Sequence, residues 1–201
     1  MIVLQANFPP LILASTSIYR RELLMRLSLP FRVERPAVDE SHIPGESPKV
    51  RAVRLAHAKA ETVAIRYPDA VVIGSDQVCA LGAGVLDKAG TRSGQEAQLA
   101  ALSGNSADFH TAICLRCVAL DFTFAHTDLT RCVFRQLSRD TIADYANREP
   151  ALDCAGGFKV EGLGITLLER VEALDPTALV GLPLIALHCG LAALSARVRA
   201  G

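Results

Sequence analysis

The stretch Val71-Val72-Ile73-Gly74-Ser75-Asp76-Gln77-Val78 decides how the chain reads. Three β-branched residues in a row describe a buried strand, and Gly74 to Gln77 reads as a small-residue turn carrying one carboxylate at the strand's carboxyl end. In α/β proteins ligands and chemistry collect at that end. Asp76 is therefore the first candidate for holding a metal or accepting a proton. The plainer alternative is a solvated aspartate in a turn, because Gly, Ser and Asp favour turns for backbone reasons.

Upstream, Leu11-Ile12-Leu13-Ala14 predicts a short strand that runs through Ser15-Thr16-Ser17 into a helix over 18–27 with Leu23, Leu24 and Leu27 on one face. A strand, a hydroxyl-rich turn and a helix aim free N–H groups out of the turn, where an anion binds. Arg20 and Arg21 in the first helical turn oppose the helix dipole unless a negative partner arrives, either a phosphate or neighbouring acids such as Glu22. Phe31 to Glu34 predicts a second strand, followed by Val38-Asp39-Glu40 and a polar loop. Ser47 as N-cap and Pro48 in the first turn open a helix that stops at Tyr67-Pro68. Lys59 lies among its alanines and reads as a solvated lysine unless this helix packs beside the end of the Asp76 strand.

Downstream, Gly82-Ala83-Gly84 between Val78–Leu81 and Val85-Leu86 predicts a hairpin, whose returning arm brings Asp87-Lys88 toward Asp76. Ser93-Gly94-Gln95-Glu96 has capping-box spacing and opens a helix through Leu102. Two long strands, 108–120 and 122–136, follow with a tight turn near Asp121, then a helix over 141–148 capped by Ser138. The segment from Asp153 to Gly164 is the richest in glycine, and with Lys159 and Glu161 it suits a nucleotide better than an inert connection. Ile165 to Val171 predicts a strand, and an apolar helix runs from about Leu184 to Arg197. No repeat, low-complexity tract or linker interrupts the 201 residues, so one domain is expected.

Composition narrows the function classes. Lys plus Arg and Asp plus Glu number 21 each, so no global positive field draws in nucleic acid or an anionic membrane. Six cysteines sit mostly in apolar runs, which fits buried thiols in a reducing compartment, and Cys114-x-x-Cys117 has no second pair with which to hold zinc. Met1 to Ala14 contains Pro9-Pro10 and lacks the positive start of a signal peptide, and no apolar run reaches the roughly twenty residues of a membrane span. A cytoplasmic protein is expected.

The run Leu13-Ala14-Ser15-Thr16-Ser17-x-x-Arg20-Arg21-x-Leu23-Leu24 is joined, in order, by Val38-Asp39-Glu40, Ala58-Lys59-Ala60, Ile73-Gly74-Ser75-Asp76-Gln77-Val78, Cys154-Ala155-Gly156 to Glu161-Gly162, and Val180-Gly181-Leu182-Pro183. Together these resemble the Maf family of nucleoside triphosphate pyrophosphatases. Ser75-Asp76-Gln77-Val78-Cys79 and Gly157 to Leu167 look like its YceF-type branch, whose members hydrolyse 7-methyl-GTP. The resemblance implies a central twisted, mixed β-sheet flanked by helices, two lobes around an active-site cleft, and a homodimer. It assigns Asp76 as catalytic and links Tyr19, Gln77 and Glu161 to base choice. Where the family has Gly-Lys-Pro after the hairpin, this chain has Asp87-Lys88-Ala89.

On that reading Ser15, Ser17, Arg20 and Arg21 hold the phosphate tail, with Lys59 and Lys88 neutralising charge on the leaving diphosphate. Glu40 and Asp76 hold Mg²⁺ or Mn²⁺, and Asp76 is a metal ligand, the base for the attacking water, or both. Two other readings stand beside it: a sibling acting on dTTP, UTP or CTP, against which Gln77 and Glu161 argue, and a nucleotide-binding regulator of division with little turnover.

Overall fold

The computed structural model describes residues 8–200; residues 1–7, the start of the segment read for a signal peptide, lie outside the described residues. Strand β1 (Leu11–Ala14) leads through Ser15–Ser17 to helix α1 (Ile18–Met25) and strand β2 (Phe31–Glu34), and helix α2 (Pro48–Ala64) precedes strand β3 (Val71–Leu81). After the short β4 (Gly84–Leu86) come α3 (Arg92–Leu102), the long strands β5 (Ser106–Cys117) and β6 (Phe122–Phe134), α4 (Arg139–Arg148), β7 (Leu168–Glu172) and α5 (Leu184–Ala200). Among the described residues the seven strands form one mixed sheet in the order β2-β1-β3-β5-β6-β7, with β4 paired to β3 off that path. The expected α/β class with helices beside a mixed sheet is the one observed.

By packing the chain divides into two compact units, one of residues 1–76, 111–128 and 175–201, the other of residues 77–110 and 129–174. In the first unit β1 pairs in parallel with both β2 and β3, in the register Ala14↔Glu34 and Ala14↔Gly74. Leu11, Leu13, Val71 and Ile73 join the core against α1 and α5, whereas Ile12, Ala14 and Val72 pack with Val63 and Ala64 of α2. Both faces of these strands are therefore covered, which is why they read as unbroken apolar runs rather than alternating ones.

In the second unit Phe158 meets Phe109 and Phe134 edge-on, with ring centroids 5.8 and 5.1 Å apart. The β3–β4 hairpin forms as expected, with a connection of only Gly82-Ala83 because Gly84 already pairs with Leu81, and the left-handed backbone at Gly82 (φ +59°) explains the glycine. Among the described residues no helix is long and apolar enough to cross a membrane.

Three local expectations are corrected. Gly74 to Gln77 is not a turn: β3 continues through it, and a Cβ at Gly74 would stand 2.2 Å from Ala56 O and 2.6 Å from Ala60 N of α2. That glycine serves close helix-on-strand packing, and it shares the α2 face of β3 with Asp76. Helix α3 starts two residues earlier than the capping box implied, with Thr91 Oγ1 accepting from Gly94 N at 3.0 Å. The strand expected over 165–171 begins only at Leu168, because Leu163–Leu167 forms a 3-10 turn.

Cys114 and Cys117, three residues apart on one strand, point to opposite faces. Burial pushes the Cys114 thiol up to about 12, and its Sγ lies 3.5 Å from His57 Nδ1. No single ion takes both thiols.

A Gly74→Ala substitution should destabilise the protein by about 3 kcal/mol, since backbone rather than a flexible side-chain end must yield. Urea midpoints measure this against Gly84→Ala, where an added Cβ meets nothing nearer than 3.5 Å and the change should be small. Equal midpoints for the two variants would contradict the packing role of Gly74.

Candidate functional site

The first unit gathers most of the residues singled out from the sequence. The parallel part of β1 ends at Ala14 and that of β3 at Gly74, so Ser15, Ser75 and Asp76 all lie just past the carboxyl ends of parallel strands. Ser15 is buried, and its Oγ accepts from Ser17 N at 3.1 Å. Ser17 is the N-cap of α1, its Oγ accepting from Arg20 N at 3.4 Å. The two hydroxyls thus shape the turn that opens the helix, as expected from their type and position.

Lys59 departs from the solvated reading. Its side chain is 7% exposed, and Nζ lies 2.6 Å from Asp76 Oδ1 and 2.7 Å from Glu40 Oε1. The physical cause is the Gly74 contact: with no Cβ there and alanines at 56 and 60, α2 sits close enough on β3 for Lys59 to reach Asp76. Glu40 is half exposed and arrives from the loop after β2. That loop is tied to α2 by Arg51 Nη2 donating to Glu40 O (3.3 Å) and by Arg54, which donates to Ser41 O (3.1 Å) and pairs with both Glu46 oxygens at 2.6 and 2.8 Å. Asp39 stays out of the cluster and accepts from Ser41, which holds its carboxyl below the usual range.

Arg20 is pinned from behind. Its Nε donates to Gly181 O at 2.9 Å, and the same carbonyl lies 2.9 Å from Ser75 Oγ. Burial lowers the Arg20 guanidinium from its usual value, against the opposing pull of the Asp76 and Glu40 charges. An arginine remains protonated across the physiological range, so the cluster sets two cations beside two carboxylates. No acid occupies the first turn of α1. The carbonyl of Gly181 is held in turn by a capping loop, in which Asp175 accepts from Thr177 N (2.8 Å) and Ile185 N (2.7 Å).

Arg21 is exposed and, with Ser15, Ser17, Met25, Leu29 and Phe31, lines a pocket of about 590 Å³. Tyr19 is partly buried in the first turn of α1.

Gln77, Lys88 and Glu161 belong to the second unit. Gln77 follows Asp76 directly in β3, Lys88 is exposed and forms an isolated antiparallel bridge with Ala155, and Glu161 is exposed in the glycine-rich loop.

The sequence pointed to Ser75 only as part of a motif and did not single out Tyr145 or Glu149. Tyr145 Oη donates to Glu149 Oε2 at 2.8 Å, and their i, i+4 spacing at the end of a helix is the one sequence feature that would have paired them.

Chemically, the first unit offers two cations and the hydroxyl-lined turn at the start of α1 for an anion, with carboxylates beside them. Among the described residues no three His, Cys, Asp or Glu side chains group as metal ligands. Two hard oxygen donors, Asp76 and Glu40, already share one ammonium, so the donor set suits an ion such as Mg²⁺ that keeps waters and takes further oxygens from phosphates.

Comparison with known proteins adds the following. Residues 10–194 match the family described as "Maf-like protein". A protein of Xanthomonas axonopodis pv. citri (strain 306) named 7-methyl-GTP pyrophosphatase is 55% identical over 179 residues, 89% of this chain and 93% of its own. Proteins of the same name from Polaromonas sp. (strain JS666 / ATCC BAA-500) and Aromatoleum aromaticum (strain DSM 19018 / LMG 30748 / EbN1) are 51% and 50% identical. They cover 88% and 90% of this chain, and 80% and 93% of their own length.

Replacing Lys59 by Met should cost about 3 kcal/mol at neutral pH, because two adjacent carboxylates lose their shared cation. Urea midpoints at about pH 7 measure this, and a midpoint equal to that of the unmodified protein would contradict the clamp.

Proposed function

The chain belongs to the Maf family, and from that premise we propose that it is a nucleoside triphosphate pyrophosphatase. Its substrate on this reading is 7-methyl-GTP, hydrolysed to 7-methyl-GMP and diphosphate in the cytoplasm, which keeps the modified nucleotide out of nucleic acids. The reading assigns residues 1–201 to one catalytic domain and, as the resemblance implies, a homodimeric working unit. The observation that carries it is the cluster in which Lys59 bridges Glu40 and Asp76 beside the pinned guanidinium of Arg20. The names of the relatives support the choice of base over a dTTP, UTP or CTP specificity.

Cleavage between the α and β phosphates requires a water to attack the α phosphorus, the bridging P–O bond to break, and the water's proton to go to a base. Asp76 is assigned as that base. Arg20 and Lys59 neutralise the charge that builds on the departing diphosphate, and Ser15 and Ser17 at the start of α1 are assigned to the phosphate oxygens. Arg21 and Lys88 are assigned to the same polyanion. Glu40 and Asp76 would hold a divalent cation, Mg²⁺ or Mn²⁺, which when bound supplies further charge neutralisation.

Base choice is assigned to Tyr19, Gln77 and Glu161. A 7-methylated guanine is positively charged, which favours an aromatic face and a carboxylate. Glu161 is also suited to accept hydrogen bonds from the N1 and N2 edge.

Purified protein with Mg²⁺ or Mn²⁺ should release diphosphate from 7-methyl-GTP faster than from other nucleoside triphosphates. Asp76→Asn should reduce turnover by about 10²- to 10⁴-fold, the usual contribution of a positioned base. Tyr19→Ala and Glu161→Ala should flatten the ranking of bases. Full turnover in Asp76→Asn would remove it from the chemistry. Tight nucleotide binding without product from the unmodified protein would instead identify a regulator.

A further inference from the structure

The glycine-rich loop is held from behind by a polar cluster that the reaction above does not use. Gln95 is fully buried, and its Nε2 donates to Glu149 O at 3.1 Å and to Gly157 O at 3.0 Å, while its Oε1 accepts from Ala151 N at 3.4 Å. Phe158 then plugs into the aromatic core of the second unit. Beyond that plug, two backbone N–H groups are caught by one side-chain pair. Lys159 N donates to Tyr145 Oη at 3.0 Å, Tyr145 Oη donates to Glu149 Oε2, and Gly164 N donates to the same carboxylate oxygen at 3.1 Å.

Residues 159–164 are therefore closed into a small ring with both ends tied to a single Tyr–Glu pair, and Glu161 stands on it. The ring tolerates little. A Cβ at Gly162 would fall 1.9 Å from Glu149 Oε1, and one at Gly164 would fall 2.4 Å from Lys159 O. Burial of Tyr145 raises its hydroxyl well above the usual value, so it stays protonated and keeps donating to Glu149.

We propose that Tyr145 and Glu149 are positioning residues for base selection: by tying Lys159 and Gly164 they fix where the loop presents the Glu161 carboxylate. This rests on the role given above to Glu161. A carboxylate that reads a base edge must stay within a few tenths of an ångström of its hydrogen-bonding position, and an untied six-residue loop does not hold it there. The pair acts through the loop and touches no reacting atom in this assignment, so its loss should alter discrimination and KM while leaving kcat for 7-methyl-GTP nearly unchanged.

The test compares kcat/KM for 7-methyl-GTP with that for GTP in the full-length protein and in Glu161→Gln, Tyr145→Phe, Glu149→Gln and Leu99→Ala. Tyr145→Phe removes one hydroxyl and keeps the ring. It should lower the 7-methyl-GTP to GTP ratio about five- to tenfold, the effect of about one net hydrogen bond, mainly through KM. Glu149→Gln should move the ratio the same way, and the double variant should add little to either. Leu99→Ala empties a buried site in the same unit, so it should lower stability and leave the ratio alone. Amide hydrogen exchange, which needs no activity, should quicken at Lys159 and Gly164 in Tyr145→Phe.

An unchanged ratio in Glu161→Gln would overturn the role given to Glu161 and the proposal with it. A lowered ratio in Glu161→Gln, with unchanged ratios in Tyr145→Phe and Glu149→Gln, would overturn the proposal alone. A ratio shift in Leu99→Ala as large as in Tyr145→Phe would reduce the pair to general stability and overturn it likewise.

Discussion

An ammonium group taken out of water and set between two carboxylates is the constraint on which the first unit depends. Lys59 reaches 2.6 Å from Asp76 and 2.7 Å from Glu40 while 7% exposed, and burying an ammonium that far is costly without such partners. The contact is made possible by the removal of bulk elsewhere: Gly74 on β3 and Ala56 and Ala60 on α2 let the helix settle on the strand. Packing and charge are thus one device. An apolar contact brings the helix in, and the cation it delivers stabilises an aspartate that would otherwise be costly to bury.

That arrangement also explains how a cluster with balanced charge can serve an anion. Lys59 and Arg20 are each held by groups that will not leave, Lys59 by two carboxylates and Arg20 by the Gly181 carbonyl. On the proposed assignment little reorganisation is then needed when the phosphates arrive, and such preorganised charge carries much of the rate enhancement in many enzymes. The overall balance of 21 basic and 21 acidic residues agrees with this, since attraction of the substrate has to come from a local cluster rather than from the whole surface.

Local chemistry was legible in the sequence wherever a residue acts on its own neighbours. Ser17, Ser47 and Ser138 cap the helices that follow them, and the Val71–Ile73 run is the doubly covered strand it resembled. What misled was a residue type with two uses. Gly74 suggested a turn because glycine favours turns, but it serves close packing, a property of α2 that no neighbour in sequence reveals. The capping box at Ser93 lost to Thr91 at the start of α3, and the strand expected from Ile165 was displaced by the 3-10 turn over Leu163–Leu167. Lys59 was ambiguous for the same reason: a lysine among alanines looks identical whether the helix faces water or an aspartate. The Tyr145–Glu149 pair was invisible because its importance lies in the backbone it holds 14 and 15 residues further on.

Lys59 and Asp76 stabilise one another rather than standing as two independent polar groups. A double-mutant cycle of unfolding free energies with Lys59→Met, Asp76→Asn and the double variant measures this directly. The expected coupling is about 2–3 kcal/mol, with the double variant more stable than the sum of the single losses allows. Additive losses, within about 0.5 kcal/mol, would contradict it.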